Sequence, residues 1–162
     1  MQLTFDTRGY LQSEKPIEIS LLEIEQIFVS DFPLDTPRRY LLNELKRYLH
    51  DFSKVISEDF SCWIDGSFIS KKWYPRDIDI VILLNYSDFE IKEEEIINGF
   101  IQPFMNLNYK GIDAYLLKKY PENHNKYSYF KSDFAYWYHL FSNTKPNRNN
   151  KTFPKSFIKL IK

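Results

Sequence analysis

Two aspartates at the start of an apolar strand constrain this chain more than any other feature of its sequence. Asp77 and Asp79 open the run Asp77-Ile-Asp-Ile-Val-Ile-Leu-Leu84, whose β-branched and aliphatic residues are typical of a buried strand. Because side chains alternate along a strand, the two carboxylates lie on the same side, about 7 Å apart. Charged groups are seldom buried unless they are paired or bind metal. The pair is therefore well placed to share a divalent cation, since Mg²⁺ binds carboxylate oxygens together with substrate phosphates.

A Gly-Ser turn precedes this strand and suggests a phosphate site. Gly66 follows an apolar segment, residues 60–64, that predicts the first strand of a sheet. A glycine at this point lets the backbone turn sharply and approach a ligand closely. The backbone amides that follow and the Ser67 hydroxyl are then available to donate to a phosphate. Three cations of the next loop are candidates to balance triphosphate charge, and the sequence does not choose among them: Lys71, Lys72 and Arg76.

The spacing of these two motifs resembles a known superfamily. Gly66-Ser67, nine further residues, and then Asp77-Ile78-Asp79 resembles the nucleotidyltransferases typified by DNA polymerase β and the minimal nucleotidyltransferases. More narrowly, Trp63–Lys72 together with Pro75–Ile80 looks like a small group of bacterial nucleotidyltransferase-like proteins. Two departures stand out. Many superfamily members carry a further glycine where this chain has Lys71, and Asp65 adds negative charge beside the proposed phosphate site.

The resemblance implies a nucleotidyltransferase fold and a set of roles. Asp77 and Asp79 would be catalytic ligands of Mg²⁺ or Mn²⁺. Gly66 and Ser67 would hold the β- and γ-phosphates of a nucleoside triphosphate. One of the three cations of the loop would stabilise the leaving pyrophosphate.

A third acidic residue on a later strand is a further implication of the resemblance. Residues 111–117 predict a third strand, in which Asp113 stands between Ile112 and Ala114. Asp113 would join the metal site on the nucleophile side and orient or deprotonate the acceptor hydroxyl. The alternative is a strand-start aspartate turned to solvent or paired with a lysine.

Length and local patterns predict one α/β (α+β) domain over residues 1–162. We expect a mixed sheet of about three to five strands, with helices packed mainly on one face. Residues 1–19 predict an N-terminal arm or edge strand. Residues 143–162 hold six Lys or Arg and no acidic residue, which indicates a basic extension that could add a last strand at the sheet edge. This extension is either solvated or a contact to RNA or an acidic partner.

Four helices are predicted from capping residues and apolar spacing. They cover residues 21–29, a segment capped by Thr36 with Pro37 at its first position, a segment from Ser87 to about Met105, and residues 132–141. Arg38 and Arg39 lie off the apolar stripe of the second helix, so we expect a solvated face, with a phosphate contact as the alternative. The aromatic stripe of the last helix is expected in the core, with a base-stacking platform as the alternative.

Composition excludes several classes of protein. The formal net charge is zero, which argues against a general nucleic-acid binder. The single cysteine, Cys62, is expected to be a buried thiol and excludes an internal disulfide or a cysteine-based zinc site. No signal peptide opens the sequence, and no apolar run approaches the roughly 20 residues of a membrane span. We therefore expect no membrane contact and a cytoplasmic location.

Three functional hypotheses remain open at this stage. The first is transfer of a nucleoside monophosphate, AMP from ATP, to a hydroxyl of a protein such as a cognate toxin. This reading makes the chain a bacterial toxin–antitoxin or phage-defence component, and it depends on the small size, the neutral charge and the family analogy. The second is nucleotide transfer to RNA, tRNA or a small molecule, with the basic extension as the RNA contact. The third is a catalytically silent domain that binds a nucleotide or a partner.

Overall fold

Helices and strands share the chain in the computed structural model, which describes residues 3–101 and 108–161. Within these residues the strands are β1 (Thr4–Phe5), β2 (Leu11–Gln12), β3 (Ile17–Ile19), β4 (Phe60–Asp65), β5 (Ile78–Asn85), β6 (Ile112–Lys119) and β7 (Ile158–Leu160). The α-helices there are α1 (Leu21–Glu25), α2 (Arg38–Val55), α3 (Tyr86–Ile91), α4 (Glu93–Gly99) and α5 (Tyr127–Phe141). A π-helical turn at Gln26–Ser30 continues α1, and a 3-10 turn at Ser67–Ile69 follows β4. The predicted mixed α/β class is confirmed.

Five strands form one mixed sheet in the order β3-β7-β4-β5-β6. The central strand β4 runs antiparallel to both of its neighbours, whereas β5 pairs with β6 in parallel and β3 with β7 in parallel. The two short strands β1 and β2 form a separate antiparallel hairpin. The small mixed sheet expected from the sequence is therefore present.

The C-terminal strand lies inside the sheet and not at its edge. β7 pairs with β3 on one side and with β4 on the other, and the short strand β3 forms that edge of the sheet. Phe157 and Ile158 are fully buried, because the strand is covered on both faces. The prediction of an added edge strand is wrong in this respect. Strand order depends on contacts between segments more than 90 residues apart, which local patterns do not encode.

Helices cover both faces of the sheet, which corrects the expectation of one covered face. Phe60 of β4 packs against Phe52 of α2, with ring centroids 4.9 Å apart. Trp63 of the same strand packs against Phe134 of α5 at 5.0 Å. Since residues 60 and 63 point to opposite faces of β4, the two helices lie on opposite sides of the sheet. α5 therefore stands over the face that carries Asp65 and Asp79.

Helix boundaries depart from the sequence expectations at two places. α2 begins at Arg38 with Pro37 in the capping position, and the Thr36 hydroxyl donates to the Pro33 carbonyl at 2.9 Å in place of capping the helix. The helix expected from Ser87 begins one residue earlier and is broken at Lys92, so that two short helices replace one. Its predicted end near Met105 lies outside the described residues. The capping box of Ser20 and Glu23 at the start of α1 is confirmed.

None of the helices in residues 3–101 and 108–161 combines the length and the apolar character that a membrane span requires.

Candidate active site

Three strands bring an aspartate to the same level of the sheet. Asp65 of β4 lies directly opposite Asp79 of β5, which in turn lies opposite Asp113 of β6. Residues that are paired across a sheet point to the same face, so the three carboxylates share one face at one end of the sheet. Asp77, which immediately precedes β5, lines the same cavity as Asp65 and Asp79. We call these four residues the acidic cluster.

Asp79 has a raised pKa. Burial, together with the neighbouring charges of Asp77 and Asp65, raises the pKa of the Asp79 carboxyl to about 6. Asp113 acts in the same direction, while the nearby Lys145 lowers the pKa. Burial and repulsion by the neighbouring carboxylates therefore both disfavour the charged form of Asp79. A bound cation would relieve this repulsion.

Gly66 makes room for the Asp79 carboxylate. Its backbone adopts φ +88°, a conformation that side chains disfavour, and a Cβ added there would lie 2.1 Å from Asp79 Oδ2. The close approach that the sequence predicts at Gly66 is thus an approach to a carboxylate of the neighbouring strand. Ser67 follows at the start of the 3-10 turn and lines the same cavity as Asp77 and Asp79.

A cavity of about 1220 Å³ is lined by three members of the acidic cluster, Asp65, Asp77 and Asp79, whereas Asp113 is not among the described residues that line it. Two of the three cations predicted from the loop, Lys72 and Arg76, line it together with Ser67. Lys71 lies in a neighbouring pocket of about 660 Å³ beside the β1–β2 hairpin. Its Nζ stands 4.5 Å from the ring centroid of Phe5, and its backbone N–H donates to the Gly9 carbonyl at 2.9 Å. Lys72 and Ser67 line both pockets, whereas Lys71 lines only the smaller one and Arg76 only the larger one.

Arg38 is buried, which corrects the expectation of a solvated arginine. Its side chain is 0% exposed, and the guanidinium lies 3.7 Å from the ring centroid of Phe32. None of the four ion pairs found in the described ranges includes Arg38. Burial lowers the pKa of Arg38 to about 10, so the guanidinium stays charged at neutral pH.

Backbone carbonyls take the place of an acidic partner for Arg38. The guanidinium donates to the Phe28 carbonyl at 2.9 Å, to the Phe68 carbonyl at 2.6 Å and to the Ser70 carbonyl at 2.8 Å. It also donates to the carbonyl of Lys72. One side chain from the first turn of α2 thereby fixes the loop that begins at the Gly-Ser turn. The wrong prediction arose because the apolar stripe shows which residues face the sheet, whereas this loop packs on another side of the helix.

Asp65 is paired with a lysine of the C-terminal segment. Lys155 Nζ donates to Asp65 Oδ1 and also to the carbonyl of Phe141 at 2.9 Å. Burial raises the pKa of the Asp65 carboxyl, and the charge of Lys155 opposes this shift. The extra negative charge expected beside the phosphate site is therefore offset by a cation from 90 residues further along the chain.

Several residues of the cavity were not among the predicted site residues. They include five tyrosines, a tryptophan and three lysines: Tyr10, Tyr40, Tyr74, Tyr115, Tyr136, Trp137, Lys110, Lys145 and Lys155. Tyr115 could have been predicted from the sequence, because it lies two residues after Asp113 and therefore on the same face of β6. The lysines of residues 143–162 carried no local signal that directed them to this cavity.

The acidic cluster fits a metal ion that arrives with its substrate. Among the described residues no group of three or more His, Cys, Asp or Glu side chains is arranged to hold a metal ion. Mg²⁺ commonly keeps several waters and uses one or two carboxylates together with substrate phosphates. Asp77 and Asp79 are two carboxylates that line one cavity, which is the number that such a site uses.

A protein family matches the chain over almost its whole length. The family model is described as a family of unknown function, DUF6932, and it matches residues 3–161. No curated protein and no solved structure matches the chain. The matched residues include every strand of the sheet and every segment that lines the cavity.

Proposed function

We propose that this chain, which belongs to the DUF6932 family, is a metal-dependent nucleotidyltransferase. Its donor is a nucleoside triphosphate, ATP in the first place, and its acceptor is a hydroxyl group of a protein. The observation that supports this proposal is the register of Asp65, Asp79 and Asp113 beside the Gly66-Ser67 turn. In this proposal, carboxylates that bind the metal and groups that donate to the phosphates share one cavity, as transfer at an α-phosphorus requires.

Different residues of the cavity bind the metal ion, hold the phosphates and stabilise the leaving group in such a transfer. Asp77 and Asp79 hold the divalent cation, Mg²⁺ or Mn²⁺, which supplies charge neutralisation at the reacting phosphate. Ser67 and the backbone after Gly66 hold the β- and γ-phosphates, and Lys72 and Arg76 stabilise the leaving pyrophosphate. These two cations are favoured over Lys71 because they line the cavity of the acidic cluster.

Asp113 receives the proton of the acceptor in this proposal. The acceptor oxygen attacks the α-phosphorus, the bond from that phosphorus to the pyrophosphate oxygen breaks, and the hydroxyl proton passes to the Asp113 carboxylate. The products are a phosphodiester on the acceptor and pyrophosphate. Asp113 is suited to this role because it lies opposite Asp79 on the adjacent strand.

A protein is favoured over RNA as the acceptor. The net charge is zero, and the end of the basic extension, residues 155–160, is built into the fold, whereas residues 145–152 are exposed. Lys155 pairs with Asp65, and β7 lies between two other strands of the sheet. A cognate toxin, in a bacterial toxin–antitoxin or phage-defence system, is the acceptor that we propose, and ATP as donor agrees with a cytoplasmic location. RNA, tRNA or a small molecule is the alternative acceptor.

Label transfer from α-³²P-ATP in cognate cell lysate tests the proposal. With Mg²⁺ present we expect a labelled, protease-sensitive band with the wild-type protein and none with the variant D77N/D79N. Asp133→Asn, which changes an exposed carboxylate on α5, is the matched control and should label normally. A nuclease-sensitive product would move the acceptor to RNA. Binding of ATP without transfer of label to any acceptor would leave a silent nucleotide-binding domain.

A further inference from the structure

We propose that Tyr115, Tyr136 and Trp137 form a stacking site for the nucleobase of the donor, and that this site accepts all four bases. We call these three residues the aromatic wall. The inference depends on the proposed function for the identity of the ligand, but it concerns a different part of the cavity. It also names a property, base tolerance, that the acidic cluster does not determine.

The aromatic wall is a continuous apolar surface of the cavity. The ring centroids of Tyr115 and Trp137 lie 4.6 Å apart, and those of Tyr136 and Trp137 lie 5.3 Å apart. All three residues line the cavity, and Tyr136 is 60% exposed. An exposed aromatic surface inside a concave site is ready to cover a planar ligand.

α5 presents different aromatic residues to the core and to the cavity. Phe134 packs on Trp63 with centroids 5.0 Å apart, and Tyr138 packs on Phe157 at 5.5 Å. These contacts confirm the core role that the aromatic stripe predicts for this part of the helix. Trp137 and Tyr136 line the cavity. Trp137 also packs on Tyr115 of β6 and on Phe141, whereas the 60% exposure of Tyr136 shows that core packing does not account for its position.

Tyr115 of the aromatic wall shares strand β6 with Asp113 of the acidic cluster. Tyr115 follows Asp113 by two residues on the same face of β6, a rise of about 7 Å along the strand. The charges of Asp113 and Asp79 add to burial in raising the pKa of Tyr115, in agreement with this proximity. A ribose separates the α-phosphate from the base in any nucleotide. A phosphate held at the carboxylates therefore directs its base toward the wall.

Two polar residues that line the cavity with the aromatic wall each have one hydrogen-bonding group engaged within the protein, which reduces the groups available for base-specific readout. Asn143 Nδ2 donates to the carbonyl of His139 at 2.9 Å. Thr144 Oγ1 accepts from the backbone N–H of Phe153 at 3.0 Å. Stacking accepts any of the four bases because every base has a π-face. The larger purines make more contact with an aromatic ring than pyrimidines do.

Calorimetric titration in Mg²⁺ buffer distinguishes the contribution of the base to binding from that of the phosphates. The ligands are ATP, GTP, CTP, UTP and inorganic tripolyphosphate, and the variant is Trp137→Leu. We expect Trp137→Leu to weaken the binding of each nucleotide by at least about fivefold. This factor is the lower end of the range of affinity losses when one stacked base loses its aromatic partner. Tripolyphosphate should bind within about twofold of the wild-type value, because it has no base. The wild-type protein should bind the four nucleotides within about tenfold of one another, with purines tighter.

Two further variants keep the test decisive. Trp73→Leu changes a tryptophan that is 58% exposed and is not among the described residues that line the cavity, so it should bind every ligand normally. Tyr136→Ser removes an exposed ring with little effect on folding and should weaken nucleotides selectively, as Trp137→Leu does. A melting temperature measured for each variant shows whether it is folded.

The outcomes distinguish this inference from the proposed function. The stacking site would be overturned if the folded variants Trp137→Leu and Tyr136→Ser bound ATP as tightly as the wild-type protein does. It would also be overturned if their binding of ATP and of tripolyphosphate fell by the same factor. A strong preference for one base would overturn its tolerance. Selective weakening of nucleotides without any transfer of label would support the stacking site and count against the transfer reaction. Binding of neither nucleotide nor tripolyphosphate would overturn both.

Discussion

The backbone of Gly66 lies against the carboxylate of Asp79, with room for no more than a hydrogen between them. An added Cβ would stand 2.1 Å from Asp79 Oδ2, and the φ of +88° adds strain for any side chain. This contact joins the Gly-Ser turn to a residue 13 positions further along the sequence. The turn and the start of β5 are therefore one structural unit.

Gly66→Ala should displace the Asp79 side chain and destabilise the fold. We expect a loss of about 1–3 kcal/mol in the free energy of unfolding, measured in urea, because the left-handed backbone and the clash both oppose the methyl group. Mg²⁺-dependent nucleotide binding should fall with it. Gly99→Ala is the control, since a Cβ there meets nothing within 4 Å. Equal stability of the Gly66→Ala variant and wild type would contradict the contact.

Arg38→Met should be among the most damaging single changes in this protein. It removes the donor from four backbone carbonyls and leaves them buried or partly buried without that partner. We expect a loss of about 3 kcal/mol or more in the free energy of unfolding. Arg39→Met, a neighbouring and exposed position, should change stability by no more than about 0.5 kcal/mol. Similar urea midpoints for the two variants would show that Arg38 does not hold the loop.

Asp79 should make stability depend on pH in metal-free buffer. Its folded-state pKa of about 6 lies above the ordinary 3.8, so the folded protein binds more protons than the unfolded chain between these values. The stabilising contribution of this group is therefore full below 3.8 and is lost as the pH rises through 6. The free energy of unfolding of Asp79→Asn, relative to that of wild type, should rise by about 2 kcal/mol between about pH 4 and pH 8.

Urea unfolding at a series of pH values measures this dependence. Asp133→Asn provides the comparison, because its exposed carboxylate should leave the profile of the wild-type protein unchanged. Parallel profiles for Asp79→Asn and wild type would mean that Asp79 titrates normally. Added Mg²⁺ should flatten the wild-type profile, since the ion competes with protons for the carboxylate.

Lys155→Met should leave the buried Asp65 carboxylate without its ion-pair partner. Breaking a buried pair from one side costs about 3–5 kcal/mol. The double variant D65N/K155M should recover a large part of this loss, because it removes both charges together. A double variant no more stable than Lys155→Met alone would indicate that Lys155 acts through its bond to the Phe141 carbonyl.

Local features of this fold were readable from the sequence. The predicted strands 60–64, 78–84 and 111–117 correspond to β4, β5 and β6 within two residues at each end. The spacing of apolar residues predicts a buried stripe on α2 that runs from Leu41 to Ile56. It is buried from Leu41 to Phe52, whereas Val55 near its predicted end is exposed. These features depend on a period of two or 3.6 residues, which a short window contains in full.

Buried polar side chains were the features that sequence patterns missed. Arginine is a residue type that is usually exposed. The burial of Arg38 depends on four carbonyls that lie in two other segments of the chain. Lys155 likewise becomes part of the cavity only because β7 inserts beside β4. Polar residues are assigned to the surface by default because burial without partners is costly, and the partners here are distant in sequence.

The sequence by itself determined that Asp77 and Asp79 share one side of a strand and that a Gly-Ser turn precedes them. Alternation along a strand is a property of the backbone, so it needs no knowledge of the neighbouring segments. Only the tertiary structure decided that Asp65, Asp79 and Asp113 lie at one level, with Lys155 paired to the first of them. Strand register follows from how both faces of the sheet pack against α2 and α5, and that packing joins residues from the whole length of the chain.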